Sequence, residues 1–480
     1  MSATEQAQSG TQQSSQLQQS ITGRLLFFYV LGDVLGSGIY VLIGTVAGAV
    51  GGAFWLSFAV GVSVALITGL AYAELATKYP QAAGASLYVN RAFASPFLTF
   101  LVTVTMLAAG FAASGSLATG FASYFSELWE LPPPLLVSLV FVLLLAVVNY
   151  VGIVQSVVAN LVMTVIEAAG LAVVIGIGIY RVAQGGADFG RIVDFSGDSN
   201  AIWAVVAGVG LAFFAMTGFE NAANLAEEAV DPQRDFPRAL IGGMATAGVI
   251  YVLVSISAVL VIGPSDLAAS GAPLLDVVEA GGIPLSVTVV STVFAVIACV
   301  AITNTTLASV VMQSRVLYGM SREDVVPKVF GRVHSGRKSP YAALSFSAIV
   351  VCGLLIVGGL LNRAGLGIDV VARLAAVTVL LLLVVYFLVI LAALRLHGRD
   401  HTDRTFRAPA PLLVLGLVAN LALAVYVVQD DPYSVVWCLG LIGVGLLLYL
   451  AERLFGRSSS DSSTADGADG ATDADGVAGS

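Results

Sequence analysis

Three carboxylates stand where charge is expensive. Asp33 lies in "LGDVLGSGIY", Glu167 in "LVMTVIEAAG" and Glu220 in "FFAMTGFENAANLAEE", each within an apolar run long enough to cross a bilayer. An ionisable side chain at membrane depth is a functional residue by default, because lipid offers it neither water nor counter-ion. At about 1.5 Å per residue, Asp33 sits about 14 Å beyond Arg24 and Glu167 about 18 Å beyond Gln155. Both fall near the midplane. The chemistry open to such groups is capture of a proton, a metal cation or a cationic group. All three histidines, His334, His397 and His401, map to connecting loops, so proton handling within the membrane falls to carboxylates.

Glycines interrupt the same runs. Gly32 and Gly36 are four apart and share a helix face, a pattern that lets two membrane helices pack closely. Packing leaves Ser37, Gly38 and Asp33 unexplained. Each glycine costs a helix about 1 kcal/mol, so the cluster suits a helix that stops, and a stopped helix at depth is tolerated where its backbone lines a cavity or binds something. Gly218, followed by Glu220, Asn221 and Asn224, is a second interruption at similar depth in the sixth apolar run. Corresponding broken helices in two halves of a chain point to a midplane binding site between inverted repeats.

The elements that must position these residues are membrane helices. The chain has 480 residues, 58% hydrophobic and 11% charged, which excludes soluble globular classes. About twelve apolar runs match the length of a spanning helix, which predicts an all-α polytopic membrane protein. Nearly all Lys and Arg fall on one side if the N-terminus is cytoplasmic; Arg181, Arg191 and Arg363 fall on the other and Arg373 within the tenth span. This bias predicts a multi-pass protein of the cell membrane with both termini cytoplasmic. Residues 1–20 and the acidic tail 458–480 read as disordered flanks of a transporter domain over 21–457. Cys299, Cys352 and Cys438 lie within spans and have no metal-ligand spacing. No Ser/His/Asp, paired-acid or metal constellation occurs at a membrane face, and no phosphate-cradling Gly-Lys-Ser/Thr loop. Neither an enzyme, a cofactor, a nucleic-acid partner nor ATP as energy source is expected.

Four stretches carry a resemblance. "GDVLGSGIY", "AYAELATKYPQAAGASLYVNRAF", "FFAMTGFENAANLAEEAVDPQRDFPRAL" and "SRVLYGMSRED", in order and in register over about residues 22–455, resemble signatures of the amino acid–polyamine–organocation (APC) permeases. The resemblance implies a leucine-transporter-type fold: repeat one over about 24–180, repeat two inverted over about 201–395, and accessory helices over about 409–454. Broken helices 1 and 6 would then form the substrate site. Free N–H groups on Gly36, Ser37 and Gly38 suit a carboxylate, and free carbonyls on Phe214, Ala215 and Thr217 suit an α-ammonium. One carbon carries both groups in an amino acid, which makes the chain a secondary active amino acid transporter by this reading. Within the family pattern, Phe214 closes over the substrate, Gly218 permits the unwinding, and Glu220 ties local backbone and gates the inner side.

Two positions depart from the family. Several proton-coupled relatives carry a lysine at the place of Glu167, and an acid there would attract a cation or take a proton itself. Coupling is open between sodium, held by carbonyls of Gly32 and Leu35 with Thr303 and Asn304, and protonation of Glu167; exchange without ion coupling is a further alternative, as is a permease-derived sensor. Asp33 is open to binding a cationic side chain, pairing with a coupling ion, or standing as a neutral acid bonded to backbone. The third-span stretch "MLAAGFAASGS" leans towards neutral substrates, whereas Asp33 leans the other way.

Overall fold

Apolar runs punctuated by Pro, Gly and Asp become helices, and little else forms. The computed structural model describes residues 21–451 except 37, 82–83, 131, 152–156, 196–200, 285, 323–325, 335–338, 368 and 400–401. The expected disordered flanks, 1–20 and 458–480, lie outside the described residues. In chain order the helices are α1 (Gly23–Leu35), α2 (Gly38–Val50), α3 (Trp55–Lys78), α4 (Gly84–Phe93), α5 (Pro96–Ser126), α6 (Pro134–Val151), α7 (Val157–Ala183) and α8 (Ala201–Ala215). They continue as α9 (Pro232–Val261), α10 (Pro264–Ala269), α11 (Pro273–Ala280), α12 (Val287–Arg322), α13 (Tyr341–Leu361), α14 (Val370–Leu396), α15 (Ala410–Asp430) and α16 (Pro432–Ala451). Helices α5, α9, α10, α11 and α15 begin with proline in the first turn, where its missing N–H is no loss.

Among the described residues, twelve segments are long and apolar enough to cross a membrane. Two of them are broken: α1 and α2 form the first span, and α8 with a 3₁₀ stretch, Phe219–Glu228, forms the sixth. The arrangement is the five-plus-five inverted repeat with two accessory spans. Helix α1 packs on α7 and α9, α2 on α8, α3 on α8 and α9, and α5 on α12 and α14. Leu143, Leu144 and Val147 of α6 and Val249 of α9 are exposed. Such an apolar surface would be a liability in water and is what a lipid-facing helix requires.

Small residues set the central contacts. A Cβ at Gly32 would collide with the Thr164 side chain of α7, and one at Gly36 would lie 2.6 Å from Thr305 Oγ1 of α12. Both glycines therefore serve close packing, as their spacing predicts.

Candidate functional site

The two broken spans meet end to end. Helix α1 stops at Leu35 and α2 restarts at Gly38, while α8 stops at Ala215. Gly38 lies directly on the end of α8: a Cβ there would be 2.5 Å from Ala215 Cα. Beyond Ala215 the chain tightens, with Met216 N–H donating to the Phe213 carbonyl at 3.0 Å and Thr217 N–H to the Phe214 carbonyl at 3.1 Å. Gly218 then takes φ +114°, a conformation open to glycine alone, and an added Cβ would lie 2.7 Å from the Asp33 carbonyl oxygen.

The backbone groups at these ends are partly engaged. Gly36 N–H donates to the Gly32 carbonyl at 3.2 Å, because the α1 hydrogen-bond ladder runs one residue past Leu35. This corrects the expectation of a free donor at Gly36. Gly38 N–H stays at the positive start of α2, and Ser37 lies outside the described residues. On the α8 side, the Phe214 carbonyl accepts from Thr217 Oγ1 at 2.7 Å, and the Ala215 carbonyl accepts from the Tyr251 hydroxyl at 3.0 Å. Phe214 itself is buried.

Tyr251 of α9 was not singled out by the sequence. Its hydroxyl lies within reach of three carbonyls, those of Val34, Leu35 (2.8 Å) and Ala215 (3.0 Å), which bridges the two helix ends. The only signal was a polar-tipped aromatic in the apolar run "VIYVLVSISAVLV".

Asp33 and Glu220 both tie the breaks. Asp33, 5% exposed, accepts from Asn221 Nδ2 at 3.2 Å, which joins the first span to the 3₁₀ stretch of the sixth. Glu220 Oε2 accepts from Gly218 N–H at 2.9 Å and from the Tyr386 hydroxyl of α14 at 2.7 Å. A carboxylate here supplies the acceptor that the unwound turn lacks.

Glu167 lies between α7 and α12 and is fully buried. Its Oε1 accepts from Asn304 Nδ2 at 3.3 Å, and its backbone carbonyl accepts from the Tyr40 hydroxyl at 3.0 Å. Its Oε2 has no partner among the described residues, and neither has Oδ1 of Asn160, whose Nδ2 donates to Asn304 Oδ1 at 3.5 Å. Asn160, Thr164 and Glu167 fall at i, i+4 and i+7, one face of α7 turned to α1 and α12. Of the expected sodium ligands Asn304 reaches Glu167, whereas Thr303 Oγ1 donates to its own helix at the Cys299 carbonyl (2.7 Å), the Leu35 carbonyl accepts from Tyr251, and the Gly32 carbonyl accepts from Gly36. Thr305 is the α12 threonine against the first break, since Asn304 takes the face towards Glu167.

At the end of α3 on the arginine-rich face, Lys78 and Glu74 form an ion pair of 2.7 Å with both side chains inaccessible to solvent. Lys78 Nζ also donates to the Leu396 carbonyl at 2.8 Å, and Glu74 accepts from Ala408 N–H at 3.0 Å and contacts His397 Nδ1 at 3.2 Å. The i, i+4 spacing puts Glu74 and the lysine one turn on along one face of the helix.

Known proteins share this plan. An uncharacterized transporter of Mycobacterium tuberculosis is 28% identical over 436 residues, covering 91% of this chain and 92% of that one. The branched-chain amino acid permease BcaP of Lactococcus lactis is 26% identical over 461 residues, covering 90% and 94%. The crystal structure of the Eremococcus coleocola manganese transporter, bound to an aromatic bis-isothiourea compound, superposes with a TM-score of 0.61 at 15% identity, covering 92% of this chain and 98% of that one; at that identity the likeness concerns the fold. These relatives are transporters, not enzymes. The family described as amino acid permease matches residues 23–451, a stretch that contains both breaks, Glu167 and every span found among the described residues, and this chain belongs to that family of membrane transporters.

Proposed function

We propose that the chain carries a neutral α-amino acid across the membrane by alternating access, coupled to a proton taken up by Glu167. The observation that carries the substrate reading is the direct contact of two helix ends of opposite polarity, Gly38 at the start of α2 and Ala215 at the end of α8. A carboxylate at the Gly38 amide and an ammonium at the Phe214, Ala215 and Thr217 carbonyls would straddle that junction. The small apolar stretch of α5 and the name of the BcaP relative favour an apolar side chain.

The coupling reading rests on the unpartnered Oε2 of Glu167. A buried carboxylate with one neutral amide donor is costly as an anion and is relieved by a proton or a cation. Asn304 Nδ2 is the one side-chain donor on Glu167 and meets Oε1, which leaves Oε2 to take the proton. The test is uptake into proteoliposomes of wild type, Glu167→Gln and Glu167→Lys across a pH series and a sodium series, with a panel of amino acids and their esters as competitors. Glu167→Gln should flatten the pH dependence of uptake while amino acid exchange persists, and esters should compete poorly. Sodium dependence lost in both variants would move the role to a cation site. An unaltered pH and sodium response in both would make Glu167 a structural acid, and equal competition by acid and ester would remove the carboxylate site.

A further inference from the structure

Between the start of α9 and the loop joining α14 to α15 lies a groove of about 800 Å³ on the arginine-rich face. Arg234, Arg238 and Arg404 line it with a single acid, Asp231, over an apolar floor that includes Ile241 and Phe406. None of the three arginines makes an ion pair with a described residue. That sets them apart from Arg191, paired with Asp188, Arg373, paired with Asp431, and Arg407, which donates to His397 Nε2 at 3.2 Å. Like charges gathered with one acid repel one another, so the arrangement is relieved by an anion.

The groove is held in shape from behind. The Arg404 loop is pinned to α3 by Phe406 N–H on Thr77 Oγ1 at 3.1 Å and Ala408 N–H on Glu74 Oε2 at 3.0 Å, and it is closed by a turn in which Thr405 N–H donates to the Thr402 carbonyl at 3.1 Å. Arg234 and Arg238 are one turn apart on a single face of α9. Continuing at helical spacing, that face presents Gly242, Thr246, Val249 and Leu253, of which Val249 is 60% and Leu253 44% exposed. The ring of Phe27 borders Gly242, 3.4 Å from where a Cβ would stand. Guanidinium groups thus sit at the head of an apolar stripe that runs into the membrane.

We propose that this groove binds the phosphate of an anionic phospholipid, with an acyl chain laid along the Gly242–Thr246–Val249–Leu253 stripe. Guanidinium forks match phosphate oxygens, and basic pockets at the cytoplasmic ends of membrane helices suit anionic head groups. A free phosphate would use the arginines and leave the stripe without a role. Tyr251 lies thirteen residues beyond Arg238, about 20 Å deeper on the same helix. A lipid held at the outer end of α9 therefore bears on the helix that clasps both broken spans.

The test is binding to the delipidated full chain in detergent, with fluorescent phosphatidylglycerol as probe and phosphatidylcholine of the same chains, glycerol 3-phosphate and inorganic phosphate as competitors. Phosphatidylglycerol should bind and the other three displace it weakly. Arg234→Gln, Arg238→Gln and Arg404→Gln should each lower affinity roughly fivefold, about 1 kcal/mol apiece, while Arg363→Gln on the opposite face changes nothing. Val249→Asn/Leu253→Asn, which keeps every arginine, should weaken phosphatidylglycerol binding as well. These exposed positions leave folding intact, which monodisperse elution checks, and Arg238→Lys, which keeps the charge and loses the fork, should weaken binding less than Arg238→Gln. Unchanged affinity in the triple arginine variant, or equal binding of phosphatidylcholine, overturns the proposal. Full displacement by millimolar inorganic phosphate would make this a free-anion site and overturns the lipid.

Discussion

Replacing Tyr251 by phenylalanine removes one hydroxyl from the junction of the broken spans and leaves the ring, 5.9 Å from that of Phe58, in place. The hydroxyl reaches the carbonyls of Val34, Leu35 and Ala215 but has a single proton, so the loss is one hydrogen bond shared among three acceptors. The net worth of one such bond is about 0.5–1.5 kcal/mol, and leaving a buried acceptor unsatisfied costs about 1–3 kcal/mol. At about 1.4 kcal/mol per factor of ten, a loss of 1–3 kcal/mol means separation of the two helix ends becomes roughly 5- to 150-fold more frequent. Hydrogen exchange followed by mass spectrometry reads this directly, since protection scales with the opening equilibrium. Peptides covering 30–40 and 210–218 should exchange faster by that factor, while peptides from α15 and α16 keep the wild-type rate. Equal acceleration throughout the chain would mean general destabilisation, and no acceleration would mean that Tyr251 does not hold the ends together.

Gly218→Ala should cost roughly 2–5 kcal/mol, from a φ that alanine resists and a Cβ 2.7 Å from the Asp33 carbonyl oxygen, and should abolish uptake while the chain still reaches the membrane; wild-type uptake would contradict the geometry of the break. Lys78→Met leaves Glu74 buried with one cationic partner removed and should lower thermal stability in detergent by about 3–5 kcal/mol, with much of it recovered in Lys78→Met/Glu74→Gln; a double variant no better than the single would refute a charge origin. Outside the spans, burial and the neighbouring Asp276, Glu279 and Glu130 push the Glu127 carboxyl above its usual range. A raised carboxyl is most favourable to the fold while protonated, and that contribution fades as pH rises past the ordinary glutamate range. Glu127→Gln should therefore raise the melting temperature at pH 7 more than at pH 4, by a small amount that salt screens; the reverse order would refute the repulsion.

Much of the fold was legible because lipid leaves so few options: an apolar run of this length can only be a helix, and its interruption by Gly36, Gly38 or Gly218 is conspicuous. The contacts between runs were harder to see. Gly32 and Gly36 announced close packing by their spacing, yet nothing local said that Thr164 and Thr305 would be the surfaces met. Thr303 looked as suitable as Thr305, and only the facing of Asn304 towards Glu167 fixes which threonine turns to the first span. Tyr251 and Tyr386 escaped notice for the same reason. Their partners are backbone carbonyls or an acid on other elements, and a side chain's reach across a bundle leaves no periodic trace in its own segment.

Those cross-helix contacts also say which parts are fastened to one another. Ile21, just before α1, donates to the Glu228 carbonyl at 3.0 Å and accepts from Val230 N–H at 3.0 Å, so the start of the first span is zipped to the end of the 3₁₀ stretch of the sixth. At the opposite end of the same halves, Asn221 holds Asp33. Helix α1 and the 3₁₀ stretch of the sixth span are therefore fastened at two points. Against them stand α3 and α14, whose Tyr72 and Tyr386 pack on Phe219 with ring centroids 5.6 and 5.2 Å away, while Lys78 ties the two helices together at the Leu396 carbonyl. Release of the paired halves would break the Glu220–Tyr386 bond and the ring contacts while leaving the Lys78 tie intact. Asp33 thus ties the first span to the sixth, and Glu220 ties the sixth to α14.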